Sequence, residues 1–183
     1  MDGAMGEAEV AVEPMFAAAA LATRVDELSE AIAAVMPRDL VLVGILTGSF
    51  VFVADLVRAL DRRGVRPEVR FLQLSSYGVG TVSSGEVQVL GSLAGRFEGR
   101  HVLVVDDIQD TGRTLAVASR ILLDRGAATV RACALLDKPS RREVDFRADF
   151  VGFEIPDVFV VGYGIDYAER YRHLPYVGRV VGA

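Results

Sequence analysis

Apolar residues repeat with two different periods along this chain, and the alternation between them outlines the fold. Leu21, Val25, Leu28, Ile32 and Val35 recur at alternating spacings of four and three, which predicts an amphipathic helix that Pro37 ends. Residues 40–45 are apolar without interruption and predict a buried strand. Leu46-Thr47-Gly48-Ser49 then makes a turn into a helix starting near Phe50. Residues 67–74 and 102–106 read as further strands, and Gly126 stops the helix that follows the second of them. Residues 130–136 continue the pattern, and 159–163 supply a strand near the carboxyl end. Strands alternating with helices predict an α/β fold with a doubly wound parallel sheet. Residues 1–14 are small and acidic without periodicity, so they are expected to form a disordered or loosely docked tail, leaving 15–183 as a single domain.

Composition narrows the class. A chain of 183 residues that is 51% hydrophobic can fill one substantial core. A net charge of −5 and a pI near 5.1 argue against a generic nucleic-acid surface and leave a local basic patch open. Cys133 is the only cysteine and lies in an apolar run, so no intramolecular disulfide forms, which suits a reducing compartment. The first residues are acidic, and the longest apolar run, 15–22, is too short to span a bilayer. A cytoplasmic protein is expected.

The chemistry concentrates after the strand at 102–106. Two adjacent carboxylates, Asp106 and Asp107, stand where the strand should end, and Asp110-Thr111-Gly112-Arg113-Thr114 leads into a helix. In open α/β sheets ligands bind beyond the carboxyl ends of strands, and a helix N-terminus offers free N–H groups and positive dipole to a phosphate. Carboxylates beside such an anion pocket suit sugar hydroxyls, so the segment outlines a cradle for ribose 5-phosphate. The bland alternative is that these acids are helix caps or metal ligands. Between Ser75 and Gly91, a Gly- and Ser-rich stretch interrupted by Tyr77 is either a plain hairpin connection or a mobile lid.

The Asp106-Asp107-x-x-Asp110-Thr-Gly-Arg-Thr segment resembles the 5-phosphoribosyl-1-pyrophosphate (PRPP) signature of type I phosphoribosyltransferases, in the form of the hypoxanthine-guanine branch. The resemblance covers about residues 16–181. It implies a phosphoribosyltransferase fold with a small hood from the chain ends, and transfer of the phosphoribosyl group from PRPP to N9 of hypoxanthine and guanine in purine salvage. By the same match, Asp110, Thr111, Gly112, Arg113 and Thr114 hold the 5-phosphate, and Asp106 and Asp107 accept from the ribose hydroxyls. Asp110 faces N7 of the purine as general base; read from its residues alone, it caps the following helix.

Leu46-Thr47-Gly48-Ser49-Phe50 resembles the family's pyrophosphate loop, with a non-proline cis peptide between Leu46 and Thr47. Arg172 pairs with the pyrophosphate by the same resemblance. The same resemblance implies that Lys138 donates to the 6-oxygen of the base, that Phe159 stacks on it and that the backbone of Val160 reads its edge. It further implies that Ser76 and Tyr77 belong to a lid and that Asp166 binds Mg²⁺, with Asp106 and Asp107 as further candidates. Three positions depart from the family's common residues: Asp106 stands for glutamate, and Thr47 and Val158 each stand for lysine.

The expected partners are PRPP and 6-oxopurine bases, without nucleic acid or membrane, in a homodimer or homotetramer. Two rivals remain, a transferase for another base and a regulatory protein of the same fold that senses nucleotides and binds RNA. The second requires a basic face. Gly162-Tyr163-Gly164 lacks the third glycine of a dinucleotide-binding turn.

Overall fold

The computed structural model describes residues 10–76, 87–90, 93 and 95–181. Helix α1 (Ala18–Val35) buries Leu21, Val25, Leu28 and Ile32, as their spacing predicts. Val35 is exposed instead, because the helix ends there and the extended Met36 turns into the core in its place. Strand β2 (Val41–Leu46) is buried on both faces and feeds α2 (Phe50–Arg62). Strand β3 (Glu68–Ser76) is longer than its apolar run and pairs antiparallel with β4 (Val87–Leu90).

Strand β5 (His101–Gln109) runs three residues past the expected end, so the acidic pair sits within it. Helix α3 (Arg113–Asp124) leads through Gly126, at φ +88°, to β6 (Thr129–Asp137). No helix follows β6. A single 3-10 turn (Pro139–Arg141) and an irregular segment return the chain to β7 (Phe150–Glu154), a strand with no reading in the apolar pattern.

The main sheet has the order β4-β3-β2-β5-β6-β7 and is parallel except at β4. Alternate residues of its central strands feed two cores. Leu42, Leu103 and Val105 pack with α1 and α2 on one face, and Val43, Val102 and Val104 pack with α3 on the other. The sheet is therefore doubly wound, with helices on both faces.

A second, antiparallel sheet joins both chain ends in the order β1-β9-β8 and forms the hood. It corrects two expectations. Residues 11–14 are not tail but part of β1 (Ala11–Phe16), because β9 (Val177–Val181) supplies their backbone partners. Strand β1 is largely exposed, which explains its lack of apolar rhythm. Of residues 159–163 only β8 (Val160–Val161) is strand, and it pairs with β9 rather than with the main sheet.

Candidate active site

The chain leaves β2 toward β3 on one side and β5 toward β6 on the other, so the carboxyl ends of β2 and β5 flank the topological switch point. A cavity of about 260 Å³ opens there. Thr47 and Gly48 line it from the β2 side, and Asp106, Asp107, Asp110 and Thr111 line it from the β5 side. The Leu46–Thr47 peptide is cis, as the resemblance implies. Gly48 is required by close approach, since a Cβ there would overlap the Asp107 carboxylate.

Asp106 and Asp107 share this floor. The Asp107 N–H donates to Asp106 Oδ1 at 3.0 Å, and the Ile108 N–H donates to Asp107 Oδ1 at 3.0 Å. Burial first, then the neighbouring Asp107 charge, holds the Asp106 carboxyl well above the usual carboxylate range. Burial also raises Asp107, opposed first by its hydrogen bond with Asp106, then by backbone N–H groups and last by the Arg172 guanidinium. Such a pair favours a ligand that brings hydroxyl donors or positive charge.

The turn after β5 is built for an anion. Gly112 occupies the N-cap of α3 at φ +85°, and Thr111, Gly112 and Thr114 line the cavity at this helix N-terminus. Asp110 therefore does not cap α3. Its carboxylate accepts from Arg141 Nε at 3.1 Å and stays partly exposed at the cavity wall. The Arg113 side chain turns away to Glu143, 2.8 Å distant, and its backbone N–H donates to the Thr111 hydroxyl at 3.3 Å.

A chain of charges leads from Asp110 to the expected base-reading residue. Arg141 approaches Asp157 at 3.8 Å, and Asp157 approaches the buried Lys138 ammonium at 3.8 Å. The Lys138 N–H donates to the Gln109 carbonyl at 2.9 Å, tying the loop after β6 to the end of β5. Phe159 is exposed and meets Tyr167 edge-on, ring centroids 5.4 Å apart. Val160 is buried in β8.

The hood packs onto the Thr47–Gly48 loop. A Cβ at Gly164, whose φ is +100°, would overlap the Gly48 carbonyl. Arg172 donates to the Gly164 carbonyl at 2.9 Å and pairs with Asp166 at 2.9 Å, which brings these two expected site residues together. The Tyr163 hydroxyl donates to Asp55 on α2 and anchors the same segment; burial and that carboxylate push the phenol up. Ser76 ends β3 opposite Val87, and Tyr77 lies outside the described residues.

A phosphoribosyl transferase domain matches residues 16–168. The chain belongs to the phosphoribosyltransferase family. It is 54% identical to the hypoxanthine phosphoribosyltransferase of Salmonella typhimurium over 143 residues, 78% of this chain and 79% of that protein. It is 50% identical to the hypoxanthine-guanine phosphoribosyltransferase of Bacillus subtilis over 136 residues, 74% of each. Among solved structures, a Trypanosoma cruzi hypoxanthine phosphoribosyl transferase superposes with a TM-score of 0.87 at 39% identity, covering 95% of this chain and 93% of that one.

Within this family site, the geometry adds residues the sequence reading left without a role: Gln109, Asp137, Arg141, Arg142 and Asp157. A polar Gln109 in an apolar strand and the dense charge of residues 137–142 were the available signals. Neither tells which charge faces which.

Proposed function

We propose that this phosphoribosyltransferase converts PRPP and hypoxanthine, and also guanine, into the nucleoside 5-monophosphate and pyrophosphate, as a cytoplasmic enzyme of purine salvage. The observation that carries the reading is one cavity at the switch point, walled by the buried Asp106 and half-buried Asp107 and by the Thr111-Gly112 turn with the N-terminus of α3. The charged chain from Asp110 to Lys138 runs beside it.

The turn holds the 5-phosphate on backbone N–H groups and threonine hydroxyls. Asp106 and Asp107 accept from the ribose hydroxyls, and their negative charge stabilises the cationic ribose as the bond from C1 to pyrophosphate breaks. N9 of the base attacks C1 while Asp110 takes the proton from N7. Lys138 donates to the 6-oxygen, Phe159 stacks on the ring and the Val160 backbone reads its edge. An ammonium donates but cannot accept, which selects 6-oxo over 6-amino purines.

Magnesium fits these residues. No three metal-binding side chains converge among the described residues, and Mg²⁺ needs only one or two carboxylates beside substrate oxygens. Asp166 would hold it beside the pyrophosphate oxygens, with Asp106 and Asp107 as further candidates, and the ion would neutralise charge on the departing pyrophosphate. No helix among the described residues is long and apolar enough to cross a membrane. Exposed Phe50 on α2 and Val69 and Phe71 on β3 support a homodimer or homotetramer. The nucleotide-sensing alternative draws no support from these relatives.

The test is an assay of purified protein with PRPP, Mg²⁺ and hypoxanthine, guanine, xanthine or adenine in turn. Nucleotide should form from hypoxanthine, not from adenine, and activity should vanish with chelator and return with Mg²⁺. Turnover of adenine, or activity in chelator, would overturn the assignment.

A further inference from the structure

The segment between β6 and β7 is strapped to the turn that carries Asp110, and Arg142 is the centre of the strap. Its Nη1 donates to the Asp110 carbonyl at 2.7 Å and its Nη2 donates to the Asp137 carboxylate. Both side chains are largely buried. The stem of Arg142 lies directly under Gly112, where a Cβ would come within 3.0 Å of its Cδ. Next to it, the Glu143 N–H donates to the Thr111 carbonyl at 3.0 Å. Asp137, the other partner, immediately precedes Lys138 in the chain.

Arg142 does not line the switch-point cavity. It faces a separate cavity of about 290 Å³ behind the strand ends, together with Asp137, Arg147 and Glu154. It therefore acts on the reaction only through the main chain it holds.

We infer that Arg142, oriented by Asp137, is a positioning residue that fixes the backbone of Asp110 relative to Lys138. This rests on the reading of Asp110 as the general base. A planar guanidinium bridges a carbonyl and a carboxylate at once, so it sets the spacing between the turn after β5 and the end of β6. The base must meet N7 within hydrogen-bond reach while Lys138 meets the 6-oxygen of the same ring. A displacement of about 1 Å in such a pair costs on the order of 10² in rate.

The test uses the full-length protein with PRPP, Mg²⁺ and hypoxanthine. Arg142→Ala should lower kcat by on the order of 10², with the PRPP KM changed by less than about threefold. Guanidinium at sub-denaturing concentration should recover at least about tenfold of that loss, because the adjoining cavity admits it to the vacated position. Arg142→Lys keeps the charge but not the planar fork and should fall between the two; it carries the test if the alanine variant does not fold. A kcat within about threefold of wild type, a loss confined to KM, or a loss of kcat that guanidinium does not restore overturns the inference. Asp110→Asn is measured in parallel: full activity there removes the base assignment and this inference with it. An inactive Asp110→Asn beside an unimpaired Arg142→Ala removes the inference alone.

Discussion

Asp110 carries opposite expectations depending on whether it caps a helix or moves a proton, and its surroundings separate them. Gly112 already occupies the cap of α3, and the Asp110 carboxylate faces Arg141 at the cavity wall. Asp110→Asn should therefore reduce the single-turnover rate by on the order of 10² to 10⁴ with little change in PRPP affinity, since an amide cannot take the N7 proton. Asp110→Ala should melt close to the Asn variant, because no cap is lost; an Ala variant melting well below Asn would restore the capping role. Lys138 makes a second test at this scale. Its ammonium is buried against Asp157, and Lys138→Ala should impair purine binding far more than PRPP binding in titration calorimetry. Equal loss for both ligands would mean that the lysine supports the loop rather than reads the base.

The elements that build the site were legible in proportion to how completely the main sheet buries them. Strands β2, β5 and β6 were readable as apolar runs because helices cover both faces, and Asp106 to Thr114 stood out at the end of one such run. The hood was not readable in this way. Strand β1 is mostly exposed and exists through its pairing with β9, far along the chain, and β8 is two residues long. Side-chain partnerships were equally hidden, since nothing in Arg141-Arg142 says that one faces the Asp110 carboxylate and the other its carbonyl. The hood does leave one sharp requirement, at Gly164. Any side chain there must both adopt a φ of +100° and displace the Gly48 carbonyl. Gly164→Ala should cost roughly 1–3 kcal/mol in stability and, if the Thr47–Gly48 loop binds pyrophosphate as its resemblance implies, raise the PRPP KM, because relief of the overlap moves the hood off that loop. Denaturant melts and steady-state kinetics check both effects; an unchanged KM would show that the hood's seat on that loop does not matter to substrate.

At the scale of the whole molecule, the acidic pair sets the ligand-free protein against its own function. The Asp106 carboxyl is raised in the fold above its ordinary value of 3.8, mainly by burial. The native state thus holds its proton more tightly than the unfolded chain does. The stabilising contribution of that protonated group is complete below pH 3.8 and is lost as pH rises through the raised folded value, at about 1.4 kcal/mol for each unit of difference. At neutral pH the buried carboxylate is a net cost to the ligand-free fold. Asp106→Asn removes that charge and keeps the shape, so the ligand-free variant should melt above wild type at pH 7 to 8, by on the order of 1 kcal/mol or more, with the advantage shrinking toward pH 4. The same substitution should reduce the rise in melting temperature that PRPP and Mg²⁺ give the wild-type protein, since an amide still accepts from a hydroxyl but no longer brings negative charge to the floor of the cavity. Thermal melts of both proteins across this pH range, with and without PRPP and Mg²⁺, measure the exchange directly. An Asn variant that is less stable than wild type at pH 8, or that PRPP still stabilises as strongly, would show that Asp106 supports the fold instead of waiting for substrate.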